Sequence, residues 1–224
     1  MSTLLRLVIL VAAVAGLAAA DITTSYTGTL ASPESVVDFT ISLASAGTVT
    51  LQTYGFGGGT NANHTVIAPG GTDPFLAVFA GTDGSAAIVT DGMGNAYGTS
   101  AIITNYADFT GCPPAGELSI GGSDVCADIT MSLSLAAGIY TVVLSDGQYF
   151  ANAIFDNGTL GEGFTDFTGG GFCNASINGV DCPNTSGDYA LDITVPGVPE
   201  PSTVMLLGTV LAGLGLRYGR RRRA

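Results

Sequence analysis

The chain has 224 residues, with 18 acidic and 6 basic side chains and a formal net charge of −12. All six arginines lie near the ends, at Arg6, Arg217 and residues 220–223, so residues 21–195 contain 17 acidic side chains and no lysine or arginine. Such a surface cannot neutralise phosphate groups, which excludes nucleic acid as a partner. It attracts cations, and divalent-cation bridging is therefore one role open to it.

The first 20 residues have the pattern of a secretory signal peptide. Arg6 precedes an apolar stretch, residues 7–17, and three alanines follow before Asp21. Small residues in this position suit signal peptidase, and cleavage is predicted after Ala20. The remaining chain divides into one ectodomain, residues 21–195, and a tail, residues 196–224.

The ectodomain shows the period-two alternation of half-buried strands. In residues 37–43, Val37, Phe39 and Ile41 alternate with polar side chains. The same pattern recurs in residues 48–54, 129–135, 140–144 and 191–195, and residues 75–79 form an apolar run suited to a buried strand. Glycine-rich turns separate these runs, and no amphipathic stretch of helical length intervenes. The pattern predicts an all-β fold, an antiparallel β-sandwich or jelly roll.

The order of these strands resembles bacterial pre-peptidase C-terminal (PPC)-like β-sandwich domains. The resemblance covers about residues 36–145 and includes Val37–Ile41, Gly47–Leu51, Gly70–Phe79 and Leu135–Leu144. It implies a non-catalytic accessory or surface module. The chain departs from the pattern in two insertions, about residues 93–127 and 146–188.

The four cysteines all lie in the predicted ectodomain. Export to an oxidising compartment favours disulfides, and three pairings are possible. Sequential pairing is preferred because each pair flanks a short Gly- and Asn-rich loop, and zinc is disfavoured because the chain has one histidine and no C-x2-C spacing. The predicted bridges join Cys112 to Cys126 and Cys173 to Cys182.

The sequence offers little for catalysis. His64, the single histidine, lies in a loop-like stretch, and no G-x-S-x-G elbow occurs, so a non-enzymatic protein is predicted. Calcium is the sharpest ligand hypothesis because it binds carboxylate and backbone oxygens in irregular loops. Turn aspartates that bond their own backbone are the alternative. The candidate ligands, all at predicted strand ends, are Asp73, Asp83, Asp91 and Asp128.

The tail has three parts in a specific order. Residues 196–201 are proline-rich, residues 202–216 are apolar, and an arginine cluster follows. Fifteen helical residues span about 22 Å, short of a hydrocarbon core of about 30 Å, which favours processing over permanent anchorage. Positive charge beyond an apolar segment stays on the cytoplasmic side, so the ectodomain is predicted to lie outside.

The tail resembles the PEP-CTERM sorting signal of Gram-negative bacteria through Val198, Pro199, Glu200 and Pro201 followed by the apolar run. The resemblance implies recognition by an exosortase-type membrane protease, transient anchorage in the inner membrane and delivery to the cell surface or an exopolysaccharide matrix. The leading hypothesis is thus an exported, non-catalytic surface or matrix protein associated with biofilm. The alternative is an extracellular carbohydrate- or protein-binding module, calcium-dependent in one version.

Overall fold

The computed structural model describes residues 20–56, 58–91, 94, 96, 98–100, 128–172, 176–177, 180–181 and 186–197. Outside the described residues lie residues 1–19 of the predicted signal peptide, the cysteines, the predicted sorting motif and the C-terminal apolar helix. Residues Thr23–Val195 form one compact unit. This unit is described below.

The described unit is built almost entirely of strands, with two single-turn 3-10 helices at Asn152–Ile154 and Leu160–Glu162. The strands are β1 Ile22–Thr29, β2 Val36–Leu43, β3 Gly47–Thr53, β4 Gly59–Thr60, β5 Val66–Ile67, β6 Pro74–Ala80, β7 Ala87–Ile88, β8 Gly98–Ser100, β9 Thr130–Leu135, β10 Gly138–Asp146, β11 Tyr149–Ala151, β12 Phe164–Asp166, β13 Ser176–Ile177, β14 Val180–Asp181 and β15 Asp188–Val195.

Two antiparallel sheets form the sandwich. Sheet 1 has the order β1-β15-β3-β9, and sheet 2 has the order β2-β10-β6-β7, with β8 also pairing with β6. The register of sheet 1 places Leu51 between Ile193 and Met131, and the register of sheet 2 places Val142 between Phe39 and Val78. The prediction of an all-β, sandwich-like fold is confirmed.

The main core lies between the two sheets. Alternate residues of β3, such as Val49 and Leu51, meet alternate residues of β6 and β10, such as Val78 and Leu144. Each of these side chains is inaccessible to solvent. Burying one aliphatic side chain contributes about 1.5–3 kcal/mol, so this interface is the principal source of stability.

Sheet 2 is also covered on its other face. Phe75, Phe79 and Val143 point away from the main core and pack with Phe150 and Ile154, from the segment after β10. This second core explains why β6 is apolar at consecutive positions. Because both faces of the strand are buried, none of its central residues faces solvent and no alternation with polar residues is needed. The glycine-rich insertion after residue 146 thus supplies a covering layer.

Candidate functional site

One end of the sandwich is held together by backbone hydrogen bonds between the two sheets. Gly71 N–H donates to the carbonyl of Gly55 at 2.9 Å, and Thr72 N–H donates to the carbonyl of Asp188 at 2.8 Å. The loop before β6 in sheet 2 is therefore bonded to chain segments that continue β3 and begin β15 in sheet 1. Several carboxylates collect at this end.

Asp146, the last residue of β10, is completely buried there. Its Oδ1 accepts a hydrogen bond from Gln148 N–H, and its Oδ2 accepts one from the Thr72 hydroxyl, both at 3.0 Å. Burial raises the pKa of Asp146 to about 7, and the charge of Glu34 adds to the rise, although the two hydrogen bonds oppose it. This carboxyl therefore exchanges its proton near neutral pH.

Asp73 is the nearest predicted ligand to Asp146. It is buried directly before β6, and its carbonyl accepts a hydrogen bond from Gly147 N–H at 2.8 Å. A Cβ at Gly147 would lie 3.1 Å from Asp73 Oδ2, so only glycine fits this approach without displacement. The β10–β11 turn is thereby seated on the start of β6.

Two further carboxylates, those of Glu34 and Asp166, lie beside the buried hydroxyl of Thr168. Thr168 Oγ1 lies 3.0 Å from Glu34 Oε1 and 2.8 Å from Asp166 Oδ1, and it accepts a hydrogen bond from Gly170 N–H at 3.2 Å. One hydroxyl carries one proton and can donate it to one carboxylate only. Thr168 therefore brings Glu34 and Asp166 together at one buried hydroxyl.

A separate polar cluster lies where β3 of sheet 1 ends, around Thr53, which shares the buried face of β3 with Leu51. Asp128 Oδ1 accepts hydrogen bonds from the Thr53 hydroxyl at 3.0 Å and from Phe56 N–H at 3.3 Å. The pKa of Tyr54 is raised to about 12, first by burial and then by the charge of Asp192, a hydrogen bond to that carboxylate and the charge of Asp128. Asp128 and Asp192 are therefore both close enough to act on one phenol.

The structure does not bring the four predicted calcium ligands together. Asp73 and Asp128 lie at the end of the sandwich where the loops join, whereas Asp83 follows the far end of β6, about 23 Å away for a seven-residue strand. Asp83 is exposed and accepts hydrogen bonds from the backbone N–H and the hydroxyl of Ser85. This is the arrangement of a turn aspartate that bonds the neighbouring backbone, the alternative to calcium binding. Asp91 follows β7, where its carbonyl accepts a hydrogen bond from Gly94 N–H.

Within the described ranges, no group of three or more His, Cys, Asp or Glu side chains is placed to hold a metal ion. His64 is exposed in the β4–β5 loop at a φ of 60°, where its N–H donates to the carbonyl of Asn61. It thus acts as a turn residue, as expected from its sequence neighbours.

Sequence reasoning missed Asp146, Thr168 and Asp192. Asp192 sits at a polar position of an alternating strand, which normally indicates exposure to solvent. It is buried because a hairpin distant in sequence covers it, and no local pattern announces that contact. Asp146 has the same explanation, since Thr72 donates to it from the loop before β6, which is distant in sequence.

No helix in the described part of the chain is long and apolar enough to cross a membrane. The predicted disulfides and the residues of the predicted sorting motif lie outside the described ranges, and their pairing and cleavage stay predictions. Within the described part, Ser176–Ile177 and Val180–Asp181 form an antiparallel hairpin between the positions of Cys173 and Cys182 in the sequence.

Comparison with known families gives an assignment for the tail. A family model described as the PEP-CTERM protein-sorting motif matches residues 197–223. The chain carries a PEP-CTERM sorting motif. No curated protein matches the chain significantly.

The PEP-CTERM motif indicates export and sorting to the envelope surface, with processing by an exosortase-type system. The prediction of an exosortase-sorted protein is confirmed at that level. The motif covers the tail alone, so it identifies how the protein is delivered and assigns no role to the β-sandwich.

Proposed function

We propose that this chain is an exported, non-catalytic structural protein of the outer surface or extracellular matrix of a Gram-negative bacterium. The observation that carries the proposal is the PEP-CTERM match at residues 197–223, directly after the last strand of a β-sandwich. Residues 1–20 act as the signal peptide, and the tail anchors the chain in the inner membrane until the exosortase cuts it.

The composition of the ectodomain supports a structural role. Its 17 acidic residues without a basic partner keep copies soluble and apart, and cations supplied outside the cell allow them to approach. The protein then accumulates in an exopolysaccharide or biofilm matrix. We assign the sandwich to the PPC-like group because the order of its strands from Val36 to Ser145 resembles such domains.

The proposal is tested by intact mass and localisation in the native producer. The wild-type protein is expected to reach the surface without residues 1–20 and without the arginine cluster. Replacing Glu200 by Ala in the motif is expected to leave the tail attached and the protein in the inner membrane. The control is Asp83→Asn, which changes an exposed turn and should be processed normally. Wild-type protein that keeps its arginines on the surface would contradict the proposal.

A second candidate function is binding of extracellular polysaccharide. Phe155 and Phe167 are 66% and 63% exposed, and the rings of both lie against Phe150, at centroid distances of 5.6 and 5.3 Å. Exposed aromatic rings held in place by a buried ring offer an apolar surface of the kind that interfaces use. The acidic ectodomain favours a neutral glycan over an anionic one.

A pull-down with the producer's own exopolysaccharide separates the two functions. Saturable binding that is lost in the double variant Phe155→Ala/Phe167→Ala supports the binding module. The matched control is Val66→Ala, an equally apolar side chain that is 79% exposed on a different hairpin. Binding that is unchanged in the double variant removes this surface as the site and leaves the structural role.

A further inference from the structure

Three polar side chains form a row across the outer face of sheet 1. The register places Gln52 of β3 opposite Asp192 of β15 on one side and opposite Thr130 of β9 on the other. Residues directly opposite in antiparallel strands share a face, and their neighbours in sequence, such as Leu51 and Leu191, point into the main core. The row therefore faces away from the core.

A hairpin covers this row. Ala62, in the turn between β4 and β5, donates its N–H to Asp192 Oδ2 at 2.7 Å. Asn61 beside it is buried, and its Oδ1 accepts a hydrogen bond from Thr65 N–H at 2.9 Å. Because of this cover, Asp192 is only 5% exposed although it stands on the outer face of the sandwich.

Two oxygens of the row are shielded from solvent and have no hydrogen-bond partner. They are Asp192 Oδ1 and Thr130 Oγ1, on the strands that flank β3. A buried polar atom without a partner costs about 1–3 kcal/mol, and more when it belongs to a charged group. Buried oxygens left in this state indicate that a group binds between the sheet and the hairpin.

The chemistry of the surroundings selects the group. Asp128 is also buried and lies two residues before Thr130, the first residue of β9. Its charge and that of Asp192 both act on Tyr54. Residues 21–195 contain no lysine or arginine, so the ectodomain has no permanently charged cationic side chain to offer these carboxylates. Two carboxylates with neutral oxygens from threonine and glutamine make up a ligand set of the type that Ca²⁺ prefers.

We propose that Asp128, Asp192, Thr130 and Gln52 form a Ca²⁺ site beneath the β4–β5 hairpin. Its protein ligands are two carboxylates and neutral oxygens, and water completes the coordination. Binding neutralises the buried charge and fixes the hairpin to sheet 1. The site extends the proposed function, because it supplies a protein delivered outside the cell with a calcium-dependent element, but it does not depend on the sorting pathway.

The chain itself provides a local probe for the experiment. It contains no tryptophan, and Tyr54 lies beside both carboxylates. Terbium occupies calcium sites and emits when a nearby tyrosine transfers its excitation energy. The measurements are terbium emission under tyrosine excitation and the thermal midpoint, Tm, of the full-length chain in non-ionic detergent, in EDTA and in millimolar CaCl₂.

Wild-type protein is expected to show terbium emission that CaCl₂ displaces, and a Tm several degrees higher in calcium than in EDTA, as follows when a ligand is present at about 100 times its Kd. Asp192→Asn should abolish both effects. Tyr54→Phe should lose the emission but keep the calcium-dependent rise in Tm. Asp83→Asn, at an exposed turn, should behave as wild type.

Asp128 also holds Thr53 and Phe56, so Asp128→Asn alone does not separate ligation from folding. Thr130→Val separates calcium ligation from folding, because Thr130 Oγ1 makes no hydrogen bond that the substitution would remove. This variant is expected to fold with the Tm of the wild type in EDTA and to bind terbium at least tenfold more weakly. The proposal is overturned if calcium leaves the wild-type Tm unchanged, because water and not a cation would then fill the site. It is equally overturned if Asp192→Asn keeps the full calcium-dependent rise in Tm, because calcium would then act by screening the acidic surface in general.

Discussion

The hydroxyl of Thr72 donates a hydrogen bond of 3.0 Å to Oδ2 of Asp146, and it joins the loop before β6 to the last residue of β10 inside the protein. The partner side chain is an acid that burial keeps from ionising at its usual pH. The acceptor in this bond is consequently sensitive to pH in the neutral range.

The stability of the ectodomain should fall as the pH rises from 5 to 8. The pKa of Asp146 is about 7 in the folded state and 3.8 as its ordinary value, so the folded state binds the proton more tightly. This contribution is present in full below pH 4 and is lost as the pH rises through 7, with an upper limit of about 4 kcal/mol. Urea denaturation at several pH values measures it.

Asp146→Asn should reduce this pH dependence, because the amide carries no charge at any pH. The control is Asp83→Asn: hydrogen bonds from Ser85 lower the pKa of Asp83, so that substitution leaves the profile between pH 5 and 8 unchanged. Parallel profiles for wild type and Asp146→Asn would contradict the assignment.

Thr53→Val should destabilise the fold by about 1–3 kcal/mol. The buried Thr53 hydroxyl donates to Asp128 Oδ1 at 3.0 Å and accepts from Ile129 N–H at 2.7 Å. Valine has no hydroxyl, so the Asp128 carboxylate and the Ile129 N–H each lose this hydrogen bond. Thr50→Val, on the other face of the same strand, removes only an exposed contact with Ser132 and should cost at most about 0.5 kcal/mol. Equal losses in chemical denaturation would show that the buried hydroxyl is unimportant.

Val142→Ala and Val143→Ala should destabilise the protein to a similar extent, about 1.5–3 kcal/mol each. The two side chains point to opposite faces of β10, and each is fully buried, one in the main core and one beneath the segment after β10. Val66→Ala, at a largely exposed position, is the matched control and should change little. If Val143→Ala were as mild as the control, the second core would not contribute to stability.

Gly147→Ala should cost about 1–3 kcal/mol through overpacking. The new methyl group would lie 3.1 Å from Asp73 Oδ2 and 3.4 Å from the Asp73 carbonyl oxygen, both in a buried turn. At Gly84 the nearest atom is 3.5 Å away, an ordinary contact, so Gly84→Ala is the control and should be nearly neutral. Thermal melting of the two variants measures the difference, and a neutral Gly147→Ala would mean that the turn can shift away from Asp73.

The class of fold could be predicted from the sequence because alternation along a strand is a local property. Phe39 and Ile41 are buried and their polar neighbours are not, so period-two burial appears in the residue order itself. The apolar run of β6 was equally legible as a buried strand. The tail could be predicted for a related reason, since its proline-rich, apolar and basic parts follow one another directly in the sequence.

The polar groups were decided by tertiary structure. Asp192 and Asp83 are both aspartates at positions where sequence reasoning expects solvent, yet one lies under a hairpin and the other is exposed. Burial of a carboxylate depends on which distant segment covers it, and that choice is made by the whole packed chain. Asp146 therefore became recognisable as a buried acid only when β10 lay beside the loop before β6, and Asp192 only when the β4–β5 hairpin covered sheet 1.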